Sequence, residues 1–155
     1  MATSAVPFAI DALLEILRAA PALAGVQVID GPPTEDQSVS DQLFVGWQPG
    51  DSEGASLMQD FAYAGARRRN ETAVINCWID VWSGDSSIRP RRLRAFELLA
   101  VVEDALRATD IAPEAPTLGG TVQWSQLSAG ALQQSLSDQG SRAGLGFSVS
   151  FTARI

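Results

Sequence analysis

Apolar side chains recur at Ile10, Leu13, Leu14 and Leu17, the i, i+3, i+4, i+7 spacing of one helix face, while Asp11, Glu15 and Arg18 fall on the opposite face. Ser4 is placed to cap this helix and Pro7 to sit in its first turn, and Pro21 and Gly25 end it. Val26–Ile29 then reads as a short strand closed by Asp30-Gly31-Pro32-Pro33. Residues 34–41 are polar and loop-like. Leu43–Trp47 reads as a strand with Leu43, Val45 and Trp47 on one side. Residues 48–70 lack a clear period and are expected to form a long irregular connection, with Phe61 and Tyr63 as ordered aromatics in a loop or short exposed strand.

The strongest period-2 pattern is Thr72–Trp82. Ala73, Ile75, Cys77, Ile79 and Val81 make one wholly apolar face, and Thr72, Val74, Asn76, Trp78, Asp80 and Trp82 make a mixed one. Such a strand belongs at the centre of a sheet with helices on its dry side. A second helix follows Gly84-Asp85, capped by Ser86 or Ser87, with Pro90 in its first turn. Its buried stripe is Ala95, Leu98, Leu99, Val102 and Leu106, and its far side carries Arg94, Glu97, Glu103, Asp104 and Arg107. Two long strands close the chain, about 121–136 and 142–155, around the turn Ser137-Asp138-Gln139-Gly140. The last alternates with Leu145, Phe147, Val149, Phe151, Ala153 and Ile155 inward. The expected fold is a single α+β domain over residues 1–155. Its largely antiparallel or mixed sheet carries two amphipathic helices on one face, and it has a long inter-strand loop.

Composition narrows the chemistry. The 155 residues are 46% hydrophobic and 19% charged, as in a soluble globular chain with a core. Apolar runs are too short to span a bilayer, and MATSAVPFAI lacks the basic start of a secretory leader. There is no His and no Lys, so Ser-His-Asp and Cys-His machinery, Schiff-base lysines, the P-loop lysine and His-bearing metal sites are excluded. The lone Cys77 forms no internal disulfide. The net charge of −7 argues against wrapping nucleic acid.

The remaining constellations are weak as catalytic sites. Asp11 with Glu15 and Glu103 with Asp104 lie on polar helix faces, where carboxylates are solvated. Asp80, between Trp78 and Trp82, is a buried acid or the partner of an arginine, on this chain or a neighbouring subunit. Cys77 reads as a small core residue. Gly144 and Gly146 sit in a strand rather than a strand-to-helix turn, so they give no phosphate cradle and instead allow a close backbone or a bulge. No catalytic, cofactor or metal residue is assigned. Four Trp, an uncovered sheet face and the 48–70 loop point to an obligate assembly. Phe61, Tyr63, Arg67, Arg68, Arg69, Trp78, Asp80 and Trp82 are the candidate interface residues. Arg67–Arg69 and the cluster Arg89, Arg91, Arg92 and Arg94 are expected to meet acids of neighbouring copies.

The order of these features resembles a known family. Glu71 leads a long strand ending Trp82-Ser83-Gly84-Asp85. An Arg-rich helix with Leu98, Leu99, Val102, Glu103 and Leu106 follows, then Leu118-Gly119-Gly120, Asp138-Gln139-Gly140, and a final strand ending Ala153-Arg154-Ile155. The chain resembles the tail terminator (head–tail joining) proteins of long-tailed bacteriophages, particularly those of actinobacterial hosts, and its Lys-free, Arg- and Ala-rich composition fits a GC-rich genome.

The resemblance implies a structural virion protein, not an enzyme, at the head–tail interface and assembled in the host cytoplasm. It implies a homo-oligomeric ring, a hexamer, that caps the tail tube, ends its polymerisation and joins it to the head connector. It further implies that DNA passes through the lumen without specific binding, with no cofactor and no membrane involved. The alternatives are an adaptor or stopper ring, a tail-tube protein, a carboxylate hydrolase centred on Asp80, or a small-ligand binder using Trp78 and Trp82.

Overall fold

The structure is a computed structural model that describes residues 2–33, 40–65 and 67–155, so most of the polar loop expected at 34–41 lies outside the described residues. Two helices, α1 (Val6–Ala19) and α2 (Ile88–Ala105), accompany six strands. These are β1 (Gln27–Asp30), β2 (Asp41–Val45), β3 (Ala55–Phe61), β4 (Arg69–Ser83), β5 (Trp124–Ser137) and β6 (Gly140–Arg154).

All six strands form one sheet in the order β1-β2-β4-β6-β5, with β3 also on β4. β4 is the spine. One of its edges pairs with β6 from Asn70 to Ser83. The other pairs first with β3, from Arg69 to Ile75, and then with β2, from Cys77 to Val81. Every pair is antiparallel except β1 with β2. The expected α+β class and the order of elements are therefore observed.

The core lies between the sheet and the helices. Ala9, Leu13, Leu14 and Leu17 of α1 and Ala95, Leu98 and Val102 of α2 cover Ala73, Ile75, Cys77, Ile79 and Val81 of β4, together with Leu145, Phe147, Val149, Phe151 and Ala153 of β6. These are the inward residues that the two alternating patterns define. α2 is less one-sided than its spacing predicts, because Leu93 and Phe96 each remain nearly half exposed on its outer surface.

Four local expectations are corrected. The first concerns α1. Its N-cap is Ala5, and Ser4 Oγ accepts only from Val6 N–H. The Ala5 N–H instead donates to Glu71 Oε1 at 2.8 Å, a carboxylate 66 residues away in the chain. The N-cap of α2, Ser87, makes no side-chain cap, and its own N–H donates to Asp85 Oδ1 at 3.0 Å. Trp47 does not continue the Leu43–Val45 face, because Gly46 turns the chain at a φ of +78° and ends the alternation. Finally, the 48–70 connection is not irregular throughout: Ala55–Phe61 is β3, paired with β4 along its length. Its cross-strand partners, not its own sequence period, make it a strand.

Candidate functional site

The helices leave the other sheet face open, and β4 divides it into two regions. In the upper region Trp78, Asp80 and Trp82 of β4 lie opposite Gly146, Gly144 and Arg142 of β6, and Phe44 and Gln42 of β2 lie opposite Trp78 and Asp80. A Cβ on Gly144 would fall within the Trp78 indole, and one on Gly146 would stand 3.3 Å from Gln48 Nε2 and 3.4 Å from the indole. These glycines therefore let a flat ring lie across β6, where the expectation was a close backbone or a bulge. The turn at Gly46 brings Trp47 edge-on to Phe44, with ring centroids 5.0 Å apart. Gln48 then pins the loop to the sheet, its Nε2 donating to the carbonyls of Cys77 at 3.0 Å and Phe147 at 3.3 Å.

The chain thus packs its own loop beside Trp78, while Trp82 borders an open groove of about 310 Å³ with Ser83, Ser135 and Arg142. A shallow pocket of about 270 Å³ remains, lined by Phe44, Trp47, Trp78, Asp80 and Arg142 with Pro33 and Pro49. Asp80 is 8% exposed. Burial lifts its carboxyl above the ordinary range, against the opposing pull of Arg142, whose Nε is 3.4 Å away. Its arginine partner thus comes from its own chain. Among the described residues Asp80 is the one carboxylate that lines the pocket, so they supply no facing acid pair of the kind glycoside hydrolysis uses.

The lower region of the open face has a polar centre flanked by Met58 and Asp60 of β3 and Trp124 of β5, with Val74 of β4 half-buried among them. Thr72 and Asn76 of β4 lie among Ser148, Ser150 and Thr152 of β6, and Ser148 Oγ donates to Asn76 Oδ1 at 2.9 Å. At the bottom of this region the β3–β4 hairpin ends in a projecting tip. Phe61 and Tyr63 are 70% and 72% exposed, and Arg67 and Arg68 are also exposed. Arg69 is half-buried, its backbone paired with Ile155. Among the described residues no carboxylate lies within 4 Å of these three arginines.

The eight candidate interface residues therefore fall in two groups. Trp78, Asp80 and Trp82 share the upper face, and Phe61, Tyr63 and Arg67–Arg69 share the tip. Nine residue steps of extended β4 lead from Arg69 to Trp78, roughly 30 Å at strand rise.

Three of the four arginines of the second cluster find partners within the chain, and Arg89 is exposed with no ion pair among the described residues. Arg94 meets Asp41 at 3.0 Å and Glu97 at 3.1 Å, Arg91 meets Asp85 at 3.8 Å, and Arg92 donates to Gln134 Oε1 at 2.9 Å. Among the described residues there is no cluster of three or more potential metal ligands. Cys77 is fully buried and its thiol is pushed up to about 12 by burial, which keeps it protonated and inert. Asp11, Glu15, Glu103 and Asp104 are exposed, and Glu103 pairs with Arg107 at 2.8 Å. Sequence reasoning missed Glu71 and Gln48 as organising residues, because their partners are remote in the chain. No helix among the described residues is long and apolar enough to cross a membrane.

Neither the protein-family models nor the curated proteins contain a match to this chain.

Proposed function

We propose that this protein is a structural ring subunit of the tail terminator type. In this reading its copies close into a hexameric ring that caps a phage tail tube, ends its polymerisation and joins it to the head connector. One observation carries the reading: the sheet exposes different apolar groups at its two opposite edges. β3 and the tip present Leu57, Met58, Phe61 and Tyr63, and β5 presents Leu136. A head-to-tail contact joins two unlike patches, and repeated by rotation it closes a ring.

The polar centre of the lower face supports the same reading. Its hydroxyl and amide groups offer little charge to hold phosphate, which suits a wall past which DNA slides. The work is then geometric rather than catalytic: the ring accepts tube on one side and connector on the other.

Native mass spectrometry across a range of protein concentrations tests the proposal. The expected result is a six-fold species of about 98 kDa, six times the 16.4 kDa chain. Open-ended higher multiples favour a tail-tube protein instead. A monomer at every concentration, alone and with tail tubes, overturns the ring.

A further inference from the structure

β5 is an edge strand without the usual protection. Its 14 residues, Trp124–Ser137, contain no charged side chain and no proline. Edge strands are ordinarily blunted by lysines, prolines, short length or a covering element, because a row of unpaired N–H and C=O groups recruits another strand. The one irregularity in β5 is the bulge between Leu127 and Ala129, after which Ala129–Ser137 runs unbroken along β6. Most of this run is exposed. Among the described residues its outer edge pairs with nothing, and the same holds for the outer edge of β3 across the sheet.

The two free edges match. The helix-side residues of β3 include Leu57 and Phe61, opposite Ala73 and Arg69 of β4. Those of β5 include Leu132 and Leu136, opposite Leu145 and Ser141 of β6. Both pairs are spaced by four residues, and Leu57, Phe61 and Leu136 are 51%, 70% and 60% exposed. β3 runs antiparallel to β4, and β5 runs parallel to β4 by way of β6, so the two edges run antiparallel to each other.

We infer that β3 of a second copy adds to the β5 edge as an antiparallel strand, with Leu57 opposite Leu136 and Phe61 opposite Leu132. This deepens the ring reading by naming its subunit contact, and takes from it only that the occupant is another copy. In this register Gln59 faces Gln134, and Asp60 faces Gln133, so no like charges oppose each other. In this register Ser56–Phe61 lie opposite Ser137–Leu132, within the unbroken run of β5, and Ala55 falls opposite Asp138 of the turn. β3 begins at Ala55, opposite Ile75, and β2 starts pairing at Cys77, so the turn Asp138-Gln139 of the copy that offers β5 stops short of the second copy's β2.

Paired cysteines test the register. Leu57→Cys and Leu136→Cys are introduced together in the full chain. Both positions are exposed, and buried Cys77 does not compete. Under mild oxidation the double variant is expected to form covalent multimers, while Leu57→Cys with Ser135→Cys, whose second thiol points to the other face, forms none. Hydrogen exchange of the unmodified protein should slow in residues 55–61 and 129–137 on assembly. Covalent multimers without a six-fold species keep the strand contact and remove the hexamer. A six-fold species with no 57–136 crosslink and freely exchanging β5 amides overturns this inference and leaves the ring. A monomer with both edges in fast exchange overturns both.

Discussion

Gly144 has no cap or turn to form, yet it is among the least replaceable residues of the open face. Trp78 lies where its side chain would be, so an added methyl must move an indole held against β6. Gly144→Ala is expected to destabilise the fold by about 1–3 kcal/mol, the usual cost of overpacking. It should also change tryptophan emission; an unchanged urea midpoint would show that the indole moves freely.

Asp80, one strand away, carries the pH dependence of this region. Its carboxyl is raised above its ordinary value of 3.8 because burial outweighs the Arg142 charge. The folded state therefore holds this proton to higher pH than the unfolded chain. Its effect on stability is nil where both states are protonated, and stability falls as pH rises from 3.8 through the raised value. Asp80→Asn should match the parent at about pH 3 and exceed it at about pH 7 in urea unfolding. A variant less stable at neutral pH would mean that the Arg142 pair outweighs desolvation. Trp78 and Asp80 were visible in the sequence on one face of β4 and the two glycines in the last strand, but that these pack together was not. The ring of one strand fills the gap left by residues on the next, and that register is a tertiary fact.

Among the elements, α1 depends most on the rest of the chain. Glu71 is fully buried on β4, and its carboxylate accepts from Ala5 N–H and from Gln59 Nε2. A negative group at a helix N-terminus is favoured by the aligned peptide dipoles as well as by the hydrogen bond. Glu71→Ala leaves both donors without this acceptor and opens a cavity beneath the helix. The expected loss is about 3 kcal/mol, read from chemical denaturation, with α1 amides exchanging first. A loss below about 1 kcal/mol would mean that water replaces the carboxylate.

The β3–β4 hairpin differs, because its tip projects from the fold. Arg67→Glu with Arg68→Glu should leave the urea midpoint unchanged and weaken assembly in the concentration series; equal assembly would remove the tip from the interface. The helices and the spine were legible because one buried face imposes its period over many residues. β3 was not. Its seven residues are mostly exposed on both faces, so burial writes little alternation into them.

At the scale of the whole molecule the sheet is one-sided and finite. Helices cover one face, a pinned loop packs beside Trp78 on the other, and two long edges end without partners among the described residues. Exposed acids are spread over the molecule: Asp11, Glu15, Glu97, Glu103 and Asp104 lie on the helices, Asp60 on β3 at the open face, and Asp51, Glu53, Asp110, Glu114 and Asp138 in the connections. Expected acidic partners in neighbouring copies proved unnecessary for Arg91 and Arg94, which pair with Asp85 and with Asp41 and Glu97. The tip arginines are the basic residues left facing outward as a run.

The sequence by itself determined the α+β class, the order of elements, the inward rows of β4 and β6, and the absence of histidine and lysine chemistry. Each follows from local period or composition, which need no knowledge of what lies opposite. Tertiary structure alone decided that a remote carboxylate caps α1, that Gly144 and Gly146 seat Trp78, and that Asp80 meets Arg142. It also made Ala55–Phe61 a strand and left its edge and that of β5 bare. These depend on which backbone lies beside which, and pairing between distant segments is set by the packed whole rather than by neighbours in the chain.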